Sequence, residues 1–451
     1  MHTLMFLAPG HFHAALTLRE RHPLLRDEVI VYAADEAEVR EFLDLLERFN
    51  ARPDRPTAWR PILRTGGDPL ERLLSERPGD LVVVAGRNDR KMGWIRQLHD
   101  AGLPVLADKP WMAGGASMAD LRQALAGPPL AMEMMTGRHE ITTRLEGMLV
   151  ATPEVFGEFA SDGDAAITFE SVHHLEKRVN GAPLRRPPWY FDVRAQGDGL
   201  EDIPTHLVDH AQQLVGRARR PADQRSAEGA AGRGRSDAEG AAGLSRSGAE
   251  GGTSLALDLV AARCWPTLVP RELFARVTGS CDVPAVLGDL VRGQGLEYCA
   301  NAALVFRCGG VLVETSTRWE LTEPHGGGDA HRAHLRGTRA DIHVEQSATT
   351  GWRRTLVVKP GREGPDVEAA LRRFVEDWRV TLPGLGIAPA ADGFELTISP
   401  ALRTPHESQF PRVLDEFLGY VERGAWPARR VADTRAKYEL LAAARHRAER
   451  G

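Results

Sequence analysis

The sequence has 451 residues, is 42% hydrophobic and 26% charged, and is long enough for two packed cores. A formal net charge of −5 gives no basic footprint for nucleic acid or an anionic membrane, so small or neutral partners are favoured. Cys264, Cys281, Cys299 and Cys308 contain no CxxC pair, which argues against a disulfide framework or a thiolate zinc site and fits a reducing cytoplasm.

The first apolar run, Leu4 to Ala8, is too short for a signal-peptide core, and no later run approaches a membrane span. Further runs follow at Val29 to Ala33, Leu81 to Ala85, Val105 to Ala107 and Leu130 to Met135. Between them lie amphipathic helices such as Glu36 to Phe49, where Val39, Phe42, Leu43, Leu46 and Phe49 recur at helical spacing. Strands apolar on both faces need helices on both sides, which predicts a parallel, doubly wound sheet over residues 1–135.

After Arg138 the pattern becomes alternating, and Ala303 to Glu320 reads as two strands meeting at a Gly309-Gly310 turn. Phe156 to Ala160, Ala340 to Gln346 and Thr355 to Val358 are further strand candidates, so a second α+β domain with a mostly antiparallel sheet is expected over 136–215 and 253–400. Residues 216–252 are Ala, Gly, Arg and Ser rich and repeat "AEGAAG"; with almost no large apolar side chain they read as a disordered insertion. The tail, 401–451, returns to helix at Pro411 to Arg423 and Val431 to Arg447.

Three stretches carry candidate chemistry. "LAPGHFHAAL" is a strand, a tight turn and a helix start, the place where a dinucleotide pyrophosphate sits in a doubly wound fold. Its G-x-G-x-x-G frame is filled by Ala8, Gly10 and His13, so only the glycine that lets a phosphate approach survives. At the end of the second run Asp35 stands where a carboxylate binds ribose hydroxyls, favouring NAD over NADP, although Asp also starts helices.

In "GDGLEDIPTHLVDHAQQLV", Pro204 suits a first helical turn, which puts His206 and Asp209 on one face with Asp202 at the entrance. A His beside carboxylates suits general-base work, and a metal site or a capping and surface cluster is the plainer alternative. In "VLADKPWM" an apolar run stops at Asp108-Lys109, and Pro110 biases Lys109 towards an extended backbone. His173, His174, His210, His325, Asp329 and His331 do not have the spacing of a known zinc motif, and no metal is expected.

These features together resemble the Gfo/Idh/MocA oxidoreductases, two-domain proteins with an N-terminal Rossmann domain and a C-terminal open sheet. "LPVLADKPW" is similar to the family's Glu-Lys-Pro motif, with Asp108 in place of Glu; "LAMEMMTGRHE" is similar to the turn that opens the second domain; "LEDIPTHLVDH" carries the Asp, His and Asp of the substrate site. "PGHFHAAL", "RPPWYFDV", "THLVDH" and "GGGDAH" look like a subgroup with a distinctive C-terminal domain.

The resemblance implies NAD, with NADP as the second choice, and a sugar or polyol substrate. It implies a cofactor site of Gly10, His11, Phe12, His13, Asp35, Gly86, Asn88, Asp108, Lys109 and Pro110. Lys109 would steady a developing alkoxide, His206 would take the hydroxyl proton and Asp202 would orient it. Arg138, Trp189, Tyr190, Asp209, Asp329 and His331 would touch or support the substrate; Trp189 and Tyr190 are equally readable as core. A homodimer or homotetramer is expected on the same ground. Two other functions fit the same residues, glycoside cleavage through transient sugar oxidation and a non-catalytic sugar or nucleotide sensor.

Overall fold

A computed structural model describes residues 1–179, 182–219, 254–323, 327–361 and 366–448. The chain divides into two compact units, one of Met1–His139, Arg194–Gly197 and Pro405–Arg435, the other of Glu140–Val193, Asp198–Thr404 and Ala436–Gly451.

The first unit is built on six parallel strands, β1 (Leu4–Leu7), β2 (Glu28–Ala33), β3 (Arg60–Thr65), β4 (Leu81–Val84), β5 (Val105–Ala107) and β6 (Ala131–Glu133). Their order is β3-β2-β1-β4-β5-β6, so the winding reverses between β1 and β4, where such sheets open a crevice. Strands β1, β4, β5 and β6 are buried throughout, the consequence of helices on both faces. On one of those helices, Glu36–Ala51, the residues Val39, Phe42, Leu46 and Phe49 face the core, and Phe42 meets Phe6 of β1 at 4.9 Å between ring centres. Strand β3 was not expected: it is one of the two edge strands, and "RPILRT" carries the Pro and the charges that edges use against further pairing.

The helical tail divides between the units. Helix Phe410–Arg423 puts Phe410, Val413, Leu414, Phe417 and Leu418 into the same core as Leu4, Phe6, Val29 and Val31. Each such fully buried side chain is worth about 1.5–3 kcal/mol, so the first unit draws much of its stability from the far end of the chain.

In the second unit a ten-stranded sheet runs in the order Leu257–Pro270, Gly295–Cys308, Val311–Thr322, Ile167–Glu176, Ala330–Leu335, Ala340–Gln346, Thr355–Pro360, Gly393–Ile398, Leu385–Ala390, with Val291–Arg292 paired to Gly295–Cys308. Its pairings are antiparallel except that of Val311–Thr322 with Ile167–Glu176. The expected hairpin is present, and Gly309 and Gly310 take the positive φ its turn requires, 53° and 88°.

Phe156–Ala160 is not the expected strand. Phe156 and Gly157 bond back to Thr152 and Pro153 as turns, and only an isolated bridge, Phe159 with Gly337, remains. Helix Pro204–Ala218 starts at the proline as expected and carries through residues assigned to the insertion; residues 220–253, the rest of that segment, lie outside the described residues, as do His325 and Gly326. Among the described residues no helix is long and apolar enough to cross a membrane.

Candidate functional site

In the first unit the site residues gather at the carboxyl ends of β1, β4 and β5. Ala8 follows β1 at φ 45°, so the conformation of the frame's first glycine persists on an alanine, at a cost of about 1 kcal/mol. The Ala8 carbonyl accepts from Gly10 N–H at 2.7 Å, and a Cβ on Gly86, beyond β4, would lie 2.4 Å from that oxygen. Gly86 is therefore demanded by the protein's own backbone. A Cβ on Gly10 would meet nothing closer than 3.6 Å, so the fold itself does not require a glycine there.

Asp108 ends β5 beneath this turn. Its carboxylate lies 3.6 Å from His11 Nδ1 and 3.4 Å from His13 Nδ1 and pairs with the buried ammonium of Lys91, which also donates to Asn88 Oδ1 and, at 3.1 Å, to the Asp108 carbonyl. Asn88 is fixed by its own bonds to Ala195 O at 2.8 Å and Gln196 O at 2.7 Å. Burial draws the Lys91 ammonium below its usual range, with Asp108 opposing. Burial likewise holds His11 and His13 well below the ordinary imidazole value, each helped by a neighbouring imidazole and by Lys91 and Lys109. The rings are thus neutral at pH 7 and can donate or accept. Phe12 and His13 meet edge-on at 4.6 Å between ring centres, and His13 meets Phe410 at 4.7 Å.

Lys109 is half-buried directly after this cluster, and its peptide bond to the buried Pro110 is cis. Asp35 is exposed and caps helix Glu36–Ala51, accepting from Glu38 N–H at 3.0 Å. Arg138 sits in the turn Thr136–His139, where its charge acts on Glu416.

In the second unit Asp202 is buried just before helix Pro204–Ala218, and His206 is half-buried in its first turn. Asp209, one turn on, lies 3.6 Å from the buried ammonium of Lys437 and accepts from Gln213 at 2.8 Å, a pairing that anchors the helix. Tyr190 belongs to the core with Tyr298 and Trp319, its ring under the Arg186 guanidinium at 4.4 Å, while Trp189 is half-buried beside it. Burial pushes the Tyr190 hydroxyl up; among its neighbours Arg186 opposes this, and both Asp202 and Asp329 add to it. The helix entrance and the Asp329 region therefore flank one aromatic cluster.

Strand Ile167–Glu176 supplies Ser171, which the sequence reading missed, and His173, which it weighed only as a metal ligand. Its buried face begins with Ile167 and Phe169 and continues with Ser171 and His173. Polar side chains at core positions need partners. The register provides them: His331 stands opposite Ser171 on one neighbouring strand and Trp319 beside His173 on the other. Ser171 Oγ bonds His173 Nε2 at 2.8 Å and His331 Nδ1 at 2.9 Å; His173 Nδ1 bonds Asp329 Oδ2 at 2.9 Å. Lys177 pairs with the same carboxylate, and Trp319 stacks on His173 at 4.9 Å. Burial would raise the Asp329 carboxyl, but His173 and Lys177 outweigh it and hold it far below the usual carboxylate range.

Donor atoms within 4.8 Å of one another, the spread of a metal site, occur among the described residues in His11, His13 and Asp108 and in His334, Asp341 and His343. The second trio lies on the sheet face away from His331, because His334 alternates with Ala333 and Leu335 of the core.

The model of a domain described as "Putative oxidoreductase C terminal domain" matches residues 145–217 and 253–449, passing over the Ala/Gly/Arg-rich segment. A solved structure of a putative oxidoreductase from Parabacteroides merdae is 32% identical, with 100% of this chain and 98% of that one covered and a TM-score of 0.86. The chain belongs to this oxidoreductase family. Its fold is that of the Gfo/Idh/MocA oxidoreductases, as the sequence motifs implied. More distant solved structures sharing the fold include a levoglucosan dehydrogenase in complex with NADH and L-sorbose, at 14% identity, TM-score 0.58 and 99% and 97% coverage. Another is a putative myo-inositol dehydrogenase from Sinorhizobium meliloti, at 12% identity, TM-score 0.53 and 100% and 98% coverage. No functionally curated protein matches the sequence.

Proposed function

We propose that this family member is an NAD(P)-dependent dehydrogenase acting on a hydroxyl-bearing carbon of a sugar, glycoside or polyol. The observation that carries the reading is the position of Lys109, directly after β5 and next to Asp108, whose carboxylate lies beside His11 and His13 of the β1 turn at the switch point of the sheet. Ligands of doubly wound sheets gather at that edge. The neighbours described as dehydrogenases, one holding NADH and a sugar, support the same class.

The residues fit a dinucleotide. Gly10 leaves the turn open, Gly86 keeps the end of β4 close to it, and His11, Phe12, His13, Asn88, Asp108, Lys109 and Pro110 complete the wall. Asp35 at the end of β2 favours NAD, because a carboxylate there bonds ribose hydroxyls and repels a 2′-phosphate. When bound, the nicotinamide supplies the hydride acceptor. Lys109 then steadies the developing alkoxide, His206 accepts the hydroxyl proton, and Asp202 orients it. Arg138, Trp189, Asp329 and His331 remain the candidates for substrate contact.

The test is absorbance at the NADH band, with NAD and NADP, across sugars, glycosides and inositols, on protein stripped of nucleotide. Cofactor-dependent turnover of one substrate class is expected. Failure of both dinucleotides to bind would overturn the reading.

A further inference from the structure

The hydrogen bonds around Ser171 have a direction. Asp329 is ionised and can only accept, so His173 carries its proton on Nδ1 and donates it there. With its proton on Nδ1, His173 offers Nε2 as an acceptor, which the Ser171 hydroxyl serves as donor. The Ser171 oxygen is then left to accept from His331 Nδ1–H, and the remaining nitrogen of His331, Nε2, has no hydrogen-bond partner among the described residues. Ser171 and His173, in the middle of this line, are buried; Asp329 and His331, at its ends, are each partly exposed, but Asp329 Oδ2 is already taken by His173 and Lys177, which leaves His331 as the point of entry.

We propose that Asp329, His173, Ser171 and His331 form a proton relay that is entered at His331 Nε2. A proton taken up at Nε2 displaces the Nδ1 proton of His331 onto Ser171 Oγ. The hydroxyl proton of Ser171 passes to His173 Nε2. No electrons are transferred; the one positive charge ends on His173, beside the Asp329 carboxylate. Resting on the function proposed above, the relay is the onward sink for the substrate hydroxyl proton that His206 accepts. The charged and titratable groups facing His331 are Arg354, His173, Asp329 and Lys177, and Arg354 is itself paired with Glu140 at 3.2 Å. Ser171 and His173 act through His331 and are positioning residues.

Two measurements test it on the full chain. In ¹⁵N-histidine spectra at pH 8, His331 is expected as the Nδ1–H tautomer, the less common form of a free imidazole. In Ser171→Ala it should revert to Nε2–H, and in Ser171→Thr, which keeps the hydroxyl, the Nδ1–H form should return. A wild-type His331 protonated on Nε2, or the same tautomer in Ser171→Ala, would overturn the relay whatever the protein catalyses.

The kinetic arm uses any substrate found in the absorbance panel. Ser171→Ala should lower kcat about 10- to 100-fold with little change in KM, and Ser171→Thr should restore it. Unchanged kcat beside the expected spectra would overturn the relay's part in the reaction. The expected spectra without any dinucleotide-dependent turnover would leave the relay standing and refute the dehydrogenase reading.

Discussion

Lys91 and Asp108 form an ion pair sealed inside the first unit, at the carboxyl edge of its sheet, with the lysine fully buried. Removing one partner of such a pair leaves a charge without compensation. Lys91→Met should destabilise the first unit by about 3–5 kcal/mol, and Lys91→Met with Asp108→Asn should recover much of the loss. Denaturant unfolding of the single and double variants checks this; equal instability of the two would refute the pairing.

Gly86 and Gly10 separate a structural glycine from one that serves a ligand. Gly86→Ala sets a methyl 2.4 Å from Ala8 O and should destabilise the unit by about 1–3 kcal/mol. Gly10→Ala, with 3.6 Å of clearance, should melt like the wild type yet bind NADH more weakly. Thermal melts with NADH fluorescence titration distinguish the two, and normal NADH affinity in Gly10→Ala would place the pyrophosphate elsewhere.

Lys109→Ala and His206→Ala should each reduce kcat by about 10²- to 10⁴-fold while the protein stays folded, the usual scale for charge stabilisation and proton transfer. Circular dichroism controls for folding. Near-normal turnover in either variant removes that residue from the chemistry.

Glu416 predicts an acid response. Burial would raise its carboxyl, but Arg430 and His139 outweigh it and hold it down at about 2. A depressed carboxyl contributes stability that is present above its unfolded value, near 4.3, and is lost as pH falls through the folded value. The melting temperature should therefore fall between about pH 4.5 and 2. Glu416→Gln should start lower at pH 7, having lost the Arg430 pair, but show a smaller further decline on acidification. A wild-type acid response that Glu416→Gln leaves unchanged would assign the effect to another group.

Legibility followed the range of the interactions involved. Strands β1, β4 and β5 stand out because burial on both faces leaves unbroken apolar runs, and Gly309-Gly310 because its turn needs two positive φ values. Strand β3 hid behind the charges that suit an edge. Lys91 was missed because "NDRKMGW" reads as surface; only Asp108, which the sheet brings next to it, makes its burial tolerable. Asp329 and His331 were visible in "GGGDAH", but their use is set by cross-strand neighbours: Ser171 is chosen by register. That signal existed, as the alternation of Ile167 and Phe169 continues onto Ser171 and His173. The ion pair of Asp209 with Lys437 could not be read locally, because the two are more than two hundred residues apart.

Helix Phe410–Arg423 completes a core whose other buried members lie between Leu4 and Met134. During synthesis, the N-terminal sheet therefore emerges from the ribosome with an apolar surface uncovered, and must wait for the second unit's residues up to Thr404 to be translated before its closing helix arrives. A nascent chain stalled ahead of residue 405 should be bound by chaperones at that surface, whereas release of the remaining residues should let the first unit close.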